Sequence, residues 1–359
     1  MFGDSFKGRR VWISGHTGFK GAWLAHWLLA LGAEVRGFAL QAEPDQRLHD
    51  GLDLGRRMDS RLGDIRDRCS VTDSIRSFRP EFVFHLAAQS LVRRSYAEPA
   101  STFETNVMGT INVLDALRSL EAPCAVVIVT SDKCYENPET GFPLREGDRL
   151  GGHDPYSASK GMAEMATDSY RRSFFGNDSS VSVASARAGN VIGGGDMAAD
   201  RIVPDMIRAL ASGETMKLRY PKATRPWQHV LEPLSGYLSL AIHLSAGGTP
   251  AKLGSLRSGF NFGPEPSSVL SVAALVERFR AHWPDLKISE AGALQHEAAA
   301  LSLDIRKAED VLGWRPAWGV DRAVAATAAW NAQSPRSACD KDIADYCDAA
   351  AARGLAWVS

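Results

Sequence analysis

Residues Arg10–Ala33 read RVWISGHTGFKGAWLAHWLLALGA, a β-rich run, a glycine-rich turn and an apolar run of helix-forming residues closed by glycine. Within the turn, Gly15, Gly18 and Gly21 recur at every third position. Glycine has a physical task in such a strand-turn-helix unit. Side chains there would block the tight turn and hold the backbone away from a pyrophosphate resting on the helix N-terminus. A glycine-rich βα turn without a ligand is the plainer alternative, but the place of this turn in the first βα unit favours a dinucleotide. The residues expected to hold it are Gly15, His16, Thr17, Gly18, Phe19 and Gly21.

Working outward, EVRGFAL, EFVFHLAA (81–88), CAVVIVTS and VSVASARAGNV (181–191) are further short apolar runs. Helical segments lie between them, among them SYAEPASTFETNVMGTINVLDALRSL and SASKGMAEMATDSYRRSFF. Strands alternating with helices predict an α/β fold of the Rossmann type, a doubly wound parallel sheet covered on both faces. After Asn190 the alternation fades into loops rich in Gly and Pro. The expected division is a dinucleotide-binding domain over 1–189 with later returns near 226–263, a smaller irregular substrate-binding lobe over 190–335, and a C-terminal tail segment over 336–359. SGFNFGP is a candidate late strand, and LDIRKAEDVLGWRPAW reads as a short helix ended by Gly313 and Pro316.

The end of the second strand offers Arg36 and no carboxylate for a ribose, so the motif leaves NAD and NADP both open. Asp64 and Ile65, after the expected third strand, could meet an adenine, and Asp64 could equally be a helix cap. Leu86, Ala87 and Ala88 complete the expected cofactor wall at the end of EFVFHLAA.

Composition narrows the partners. A net charge of −1 gives no basic field for nucleic acid or acidic lipid, which leaves a small molecule as the expected partner. The five cysteines include no C-x-x-C pair, so neither a zinc site nor a disulfide framework is expected, and a reducing cytoplasm fits. The N-terminal stretch fits neither a signal peptide nor a spanning helix, so export and membrane anchoring are not expected.

Chemistry concentrates in two places. Tyr156 and Lys160 in DPYSASKG are four apart and share one face of a helix, where a cation beside a phenol is expected to lower its pKa and make it an acid-base group. Ser131, Asp132 and Lys133 in SDKCYE follow the apolar run CAVVIVT, where strand ends of a parallel sheet open into a ligand crevice. An ordinary exposed Asp-Lys pair is the plain alternative for the latter.

GHTGFKG, HLAAQSLVRRSY, SDKCYEN, DPYSASK, RAGNVIGGGD, DRIVPD and RPWQHVLEPLSGYL together resemble the extended short-chain dehydrogenase/reductase superfamily, and within it the nucleotide-sugar 4,6-dehydratases of the CDP-glucose branch. The resemblance covers most of the chain. It implies a hydro-lyase that keeps NAD bound and removes water from CDP-glucose, with the catalytic residues Ser131, Asp132, Lys133, Tyr156 and Lys160. Ser131 would then serve C4 oxidation with Tyr156, while Asp132 as acid and Lys133 as base would eliminate water across C5 and C6. A homo-oligomer formed through a helix pair that includes the Tyr156 helix is also implied. Arg201, Arg225, His229 and Asn190 are the candidates for the diphosphate, with surface salt bridges as the alternative for each arginine. Asn106 matches a structural asparagine of the superfamily. A 4-epimerase or a GDP-mannose-type dehydratase shares the turn and the Tyr-x-x-x-Lys pair, although an epimerase has no need of Asp132 and Lys133. A non-catalytic dinucleotide-binding protein is the remaining rival.

Overall fold

The computed structural model describes residues 2–43, 47–176, 178–247, 254–290 and 300–358. Strands β1 (Arg10–Ser14), β2 (Glu34–Ala39), β3 (Asp59–Leu62), β4 (Phe82–His85), β5 (Cys124–Val129), β6 (Val181–Ala188) and β7 (Gly259–Phe262) form one sheet in the order β3-β2-β1-β4-β5-β6-β7. Every pairing within it is parallel, so this is the doubly wound α/β sheet expected. The CAVVIV run of β5 is buried throughout, as a strand covered on both faces requires. From β1 the chain winds outward through β2 and β3, then returns to β4 and winds the other way. The divergence between β1 and β4 leaves a crevice at the carboxyl ends of the strands.

The first helix, Phe19–Ala30, is mostly apolar because most of its surface is covered: Trp23, Leu24, Ala25, Trp27 and Leu28 have no exposed surface. Residues 336–358, within the stretch 336–359 read from sequence as a tail segment, supply part of that cover. The Pro335–Ala352 helix buries Cys339, Ile343 and Tyr346, and Trp27 meets the rings of Tyr346 and Trp357 edge-on at 6.0 and 6.2 Å.

The stretch before β5 is divided into Val92–Ala97, Pro99–Phe103, a π-helical turn Glu104–Met108 and Gly109–Leu117. Pro99 starts a new helix because it has no N–H to continue the old one, and the π turn carries the buried Asn106, whose side chain bonds Gln89 and Ser159. After β6 the chain enters a second, smaller core around Met206, Trp227, Leu275, Phe279 and Val324. Three two-stranded ribbons and the helices Ile202–Ser212 and Val272–Arg280 build it. SGFNFGP returns as β7 against β6, and Gly313, at φ 62°, closes the Arg306–Leu312 helix. Among the described residues no helix is long and apolar enough to cross a membrane.

Because the Pro335–Ala352 helix covers the main core, Ile343→Ala should cost about 2–5 kcal/mol. Denaturant unfolding should show a lower midpoint with unchanged slope.

Candidate active site

The crevice is built first from backbone. Ser14, at the end of β1, bonds the His85 ring through Oγ at 2.7 Å and accepts the N–H groups of Leu86 and Ala87 at 3.0 Å each. That hydroxyl fixes the point where β1 and β4 part. Gly15 then turns at φ 76°, and a Cβ there would stand 2.8 Å from the Ala87 nitrogen. At Gly21 a Cβ would stand 2.1 Å from the Gly15 carbonyl oxygen, so only glycine lets the helix start this close to the turn. The Gly18 N–H donates to Gly15 O at 3.1 Å, and Thr17 Oγ1 donates to Leu40 O at 2.9 Å.

A cavity of about 910 Å³ runs from this turn to the second lobe. Gly15, Thr17, Gly18, Phe19, Gly21, Asp64, Ile65, Leu86, Ala87 and Ala88 line one end, and Ser131, Asp132, Lys133, Tyr156, Lys160, Asn190, Arg201 and Arg225 line the other. The cradle of glycines and bare backbone fits a dinucleotide pyrophosphate, since a Cβ at Gly15 or Gly21 would collide with neighbouring backbone and Gly18 leaves its own backbone bare. Asp64 accepts from the Arg66 backbone and guanidinium at 2.6–3.1 Å, and the helix cap nearby is Asp67, not Asp64. Arg36 does not face the cavity. It is held by Asp59 at 2.6 Å, Ser74 O at 3.1 Å and Ser77 Oγ at 2.8 Å, with its guanidinium over the Phe78 ring.

Ser131 caps the short turn Asp132–Cys134, accepting the Lys133 N–H at 3.2 Å and donating to Asp132 Oδ1 at 2.9 Å. Asp132 is 3% exposed, and its Oδ2 has no partner. The bare Cα of Gly189 leaves room for that oxygen, since a Cβ would stand 3.0 Å from it. Burial raises the Asp132 pKa against the opposing pull of Lys133, Ser131, Arg225 and Lys20, so this carboxyl is disposed to hold a proton.

Tyr156 and Lys160 enter on the Pro155–Ser173 helix, capped by Asp154 through the Ser157 N–H at 2.9 Å. Sequence spacing predicts a phenol lowered by Lys160, and the structure differs. Burial pushes Tyr156 up to about 12, with the Ser131 hydrogen bond and Arg201 pulling down and Asp132 pushing further up. Burial also brings Lys160 down to about 8, and its Nζ donates to Val129 O at 3.4 Å. In a desolvated site both groups are driven toward their neutral forms. Asn106 holds the floor between them, bonding Gln89 through both backbone groups at 2.8 and 3.0 Å and Ser159 Oγ at 2.9 Å.

Two expected residues stand elsewhere. His229 is fully buried beside Trp23 and Trp318, at ring separations of 5.8 and 5.0 Å, and burial lowers it to about 3. It packs against the main core, outside the cavity lining. The His16 side chain lies under Gly37 and bonds Ser60 Oγ at 2.7 Å, away from the cavity. Conversely, Lys20, which sequence reading passes over, lines the cavity. Burial brings it down to about 8, with Arg201 and Lys160 also lowering it and Asp132 and Asp196 raising it. An ionisable residue inside a glycine turn was the available signal. Asp196, another omission, anchors Arg201 at 2.9 Å while Arg201 reaches Ser90 Oγ at 3.0 Å.

Residues 12–327 match the family described as GDP-mannose 4,6 dehydratase. The chain belongs to that family. Among its relatives, a CDP-glucose 4,6-dehydratase of Salmonella typhimurium is 42% identical over 355 residues, 96% of this chain and 98% of that one. The fold of the GDP-mannose 4,6 dehydratase family is shared with solved structures of lower identity. A dTDP-glucose 4,6-dehydratase of Streptomyces venezuelae, solved with NAD bound, is 23% identical with a TM-score of 0.76 over 90% of this chain and 97% of that one. A UDP-glucose 4-epimerase of Thermotoga maritima, solved with UDP-glucose, is 20% identical with a TM-score of 0.76 over 90% and 98%.

Gly21→Ala should force the first helix off the turn at a cost of about 1–3 kcal/mol. Titration with NADH, followed by its fluorescence, should show binding weakened about tenfold or more.

Proposed function

We propose that this chain is a CDP-glucose 4,6-dehydratase, converting CDP-glucose to CDP-4-dehydro-6-deoxy-D-glucose and water with NAD as a regenerated cofactor. The reading is carried by Asp132 and Lys133 lining the same end of the cavity as Ser131, Tyr156 and Lys160. Oxidation at C4 needs the latter three, and only an elimination gives work to the first two. The 42% identical relative bears that name. NAD is favoured over NADP because Arg36, the cation carried by β2, is already held by Asp59 and does not line the cavity.

Tyr156 removes the C4 hydroxyl proton, with the Ser131 hydroxyl holding that oxygen in line. Bound NAD would supply the hydride acceptor and later donor, while the Ser131 hydrogen bond and Arg201 draw the phenol's pKa down against its burial. The 4-ketone that results makes the C5 hydrogen acidic. Lys133 takes that proton, Asp132, whose pKa burial raises, gives one to the C6 hydroxyl as it leaves as water, and Lys133 returns its proton to C5 when hydride is delivered to C6. Arg225 and Arg201 hold the diphosphate, with Asn190 beside them.

We also read the enzyme as a cytoplasmic homo-oligomer. Met108, Met162 and Met165 are exposed on the neighbouring Glu104–Leu117 and Pro155–Ser173 segments, with Tyr96 exposed nearby, an apolar surface suited to a second copy. Met165→Glu should shift the mass measured by light scattering toward the monomer.

Incubation with NAD and a panel of nucleoside diphosphate hexoses should remove one water from CDP-glucose without accumulation of NADH. An unchanged mass with inverted C4 would overturn the dehydratase in favour of an epimerase. Lys133→Met should spare C4 oxidation and stall elimination, so that NADH builds up. Full turnover in that variant would remove Lys133 from the mechanism.

A further inference from the structure

Behind the site lies a buried charge that the mechanism above does not use. Glu164 is 1% exposed, one helical turn beyond Lys160 and therefore on the same helix face. Its carboxylate accepts three bonds from two strands: Thr130 Oγ1 at 2.5 Å, Ser185 Oγ at 2.7 Å and Arg187 Nη2 at 2.7 Å. Thr130 immediately precedes Ser131. Arg187 stands two residues before Gly189, whose bare Cα leaves room for Asp132, and three before Asn190. The other arm of Arg187 donates to Tyr135 Oη at 2.7 Å, and Tyr135 donates to Asn261 Oδ1 on β7 at 2.7 Å. One carboxylate thus joins the helix carrying Tyr156 and Lys160 to both strand ends that carry the rest of the site.

We propose that Glu164 is a positioning residue of the catalytic site, holding the Tyr156–Lys160 helix in register with Ser131 and Asp132 and serving as the counter-charge of the Lys160 ammonium. A buried ion pair is weak evidence for stability alone, since apolar residues often replace one without loss. A carboxylate that also collects two hydroxyls from site-bearing strands is placed for alignment. Burial opposes the charge of Glu164, but Arg187, Thr130 and Ser185 overcome it and hold the carboxyl below its usual range. The titratable groups around Lys160 are Tyr156 and Glu164 from its own helix, Cys134 from the turn after β5, His85 from β4 and Lys20 from the first helix. Of these, Glu164 is the one that is ionised and negative, so it opposes the loss of the Lys160 proton.

The catalytic consequence rests on the dehydratase reading, and the test separates the two. In Glu164→Gln the shape and one acceptor remain while the charge goes. Lysine labelled with ¹³C at Cε is titrated by NMR without ligands, the Lys160 signal being assigned by its absence from Lys160→Arg. The Lys160 midpoint should fall by about one unit or more. With CDP-glucose, kcat should fall about tenfold or more with KM changed by less than about threefold. The alkaline limb of kcat should move to lower pH, because the protonated lysine is then lost earlier. Glu164→Asp, which keeps the charge, should restore part of both. Since Glu164→Gln leaves Arg187 buried and unpaired, Glu164→Gln combined with Arg187→Met removes both charges and keeps the experiment interpretable if the single variant does not fold. The proposal is overturned if this paired variant folds with the wild-type Lys160 midpoint and kcat. It is equally overturned if Glu164→Gln loses only thermal stability. A wild-type protein inactive on CDP-glucose whose Lys160 midpoint still falls in Glu164→Gln would overturn the substrate and leave the counter-charge standing.

Discussion

At the end of β1 the chain passes so close to itself that a single added carbon at Gly21 would lie 2.1 Å from the Gly15 carbonyl oxygen. The first helix can begin only under that constraint, and its start sets the depth of the crevice. Ser14 fixes the other wall by collecting the amides of Leu86 and Ala87. The carboxyl ends of β4, β5 and β6 then face the same opening, and Ala88, Ser131, Asp132, Lys133 and Asn190 follow them into the cavity wall. Steric exclusion in one turn therefore governs where the charges of a distant strand can act.

Burial is the second organising effect, and it works against ionisation throughout the site. It raises Asp132 and Tyr156 and lowers Lys160 and Lys20. An acid placed to donate, as proposed for Asp132, is helped when its neutral form is close at hand, whereas a phenol placed to accept must be drawn the other way by its neighbours. The cost is that no local charge can be taken for granted, which is why the arrangement of Arg201 and Arg225 around the cavity, and of Glu164 behind it, matters alongside the groups that line it.

What sequence could disclose followed from locality. Gly15, Gly18 and Gly21 act within one turn and Tyr156 and Lys160 within one helix turn, so their spacing carries the geometry. The apolar runs of β1, β4, β5 and β6 announced a sheet buried on both faces. His229 and Lys20 were misread or missed because their roles depend on which side of a wall the chain passes, a tertiary fact. The lowering of Tyr156 expected from Lys160 failed for a similar reason: spacing shows which groups are neighbours and says nothing of how much water they have lost. Residues 336–359 gave little warning of their place in the core, since Ala-rich helices bury a weakly marked face.

The sheet is finished late. β7 joins β6 across more than seventy intervening residues, at Gly259 against Ser185, and the cover over Trp27 comes from Tyr346 and Trp357. During synthesis from the N-terminus, the six earlier strands emerge with one edge unpaired and the first helix with its tryptophans uncovered. Contacts this far apart in sequence form slowly, and an open edge with exposed aromatic surface invites association with other nascent chains. The β6 edge and the Trp27 face therefore close only through segments far along the chain, the Gly259–Phe262 strand and the Pro335–Ala352 helix.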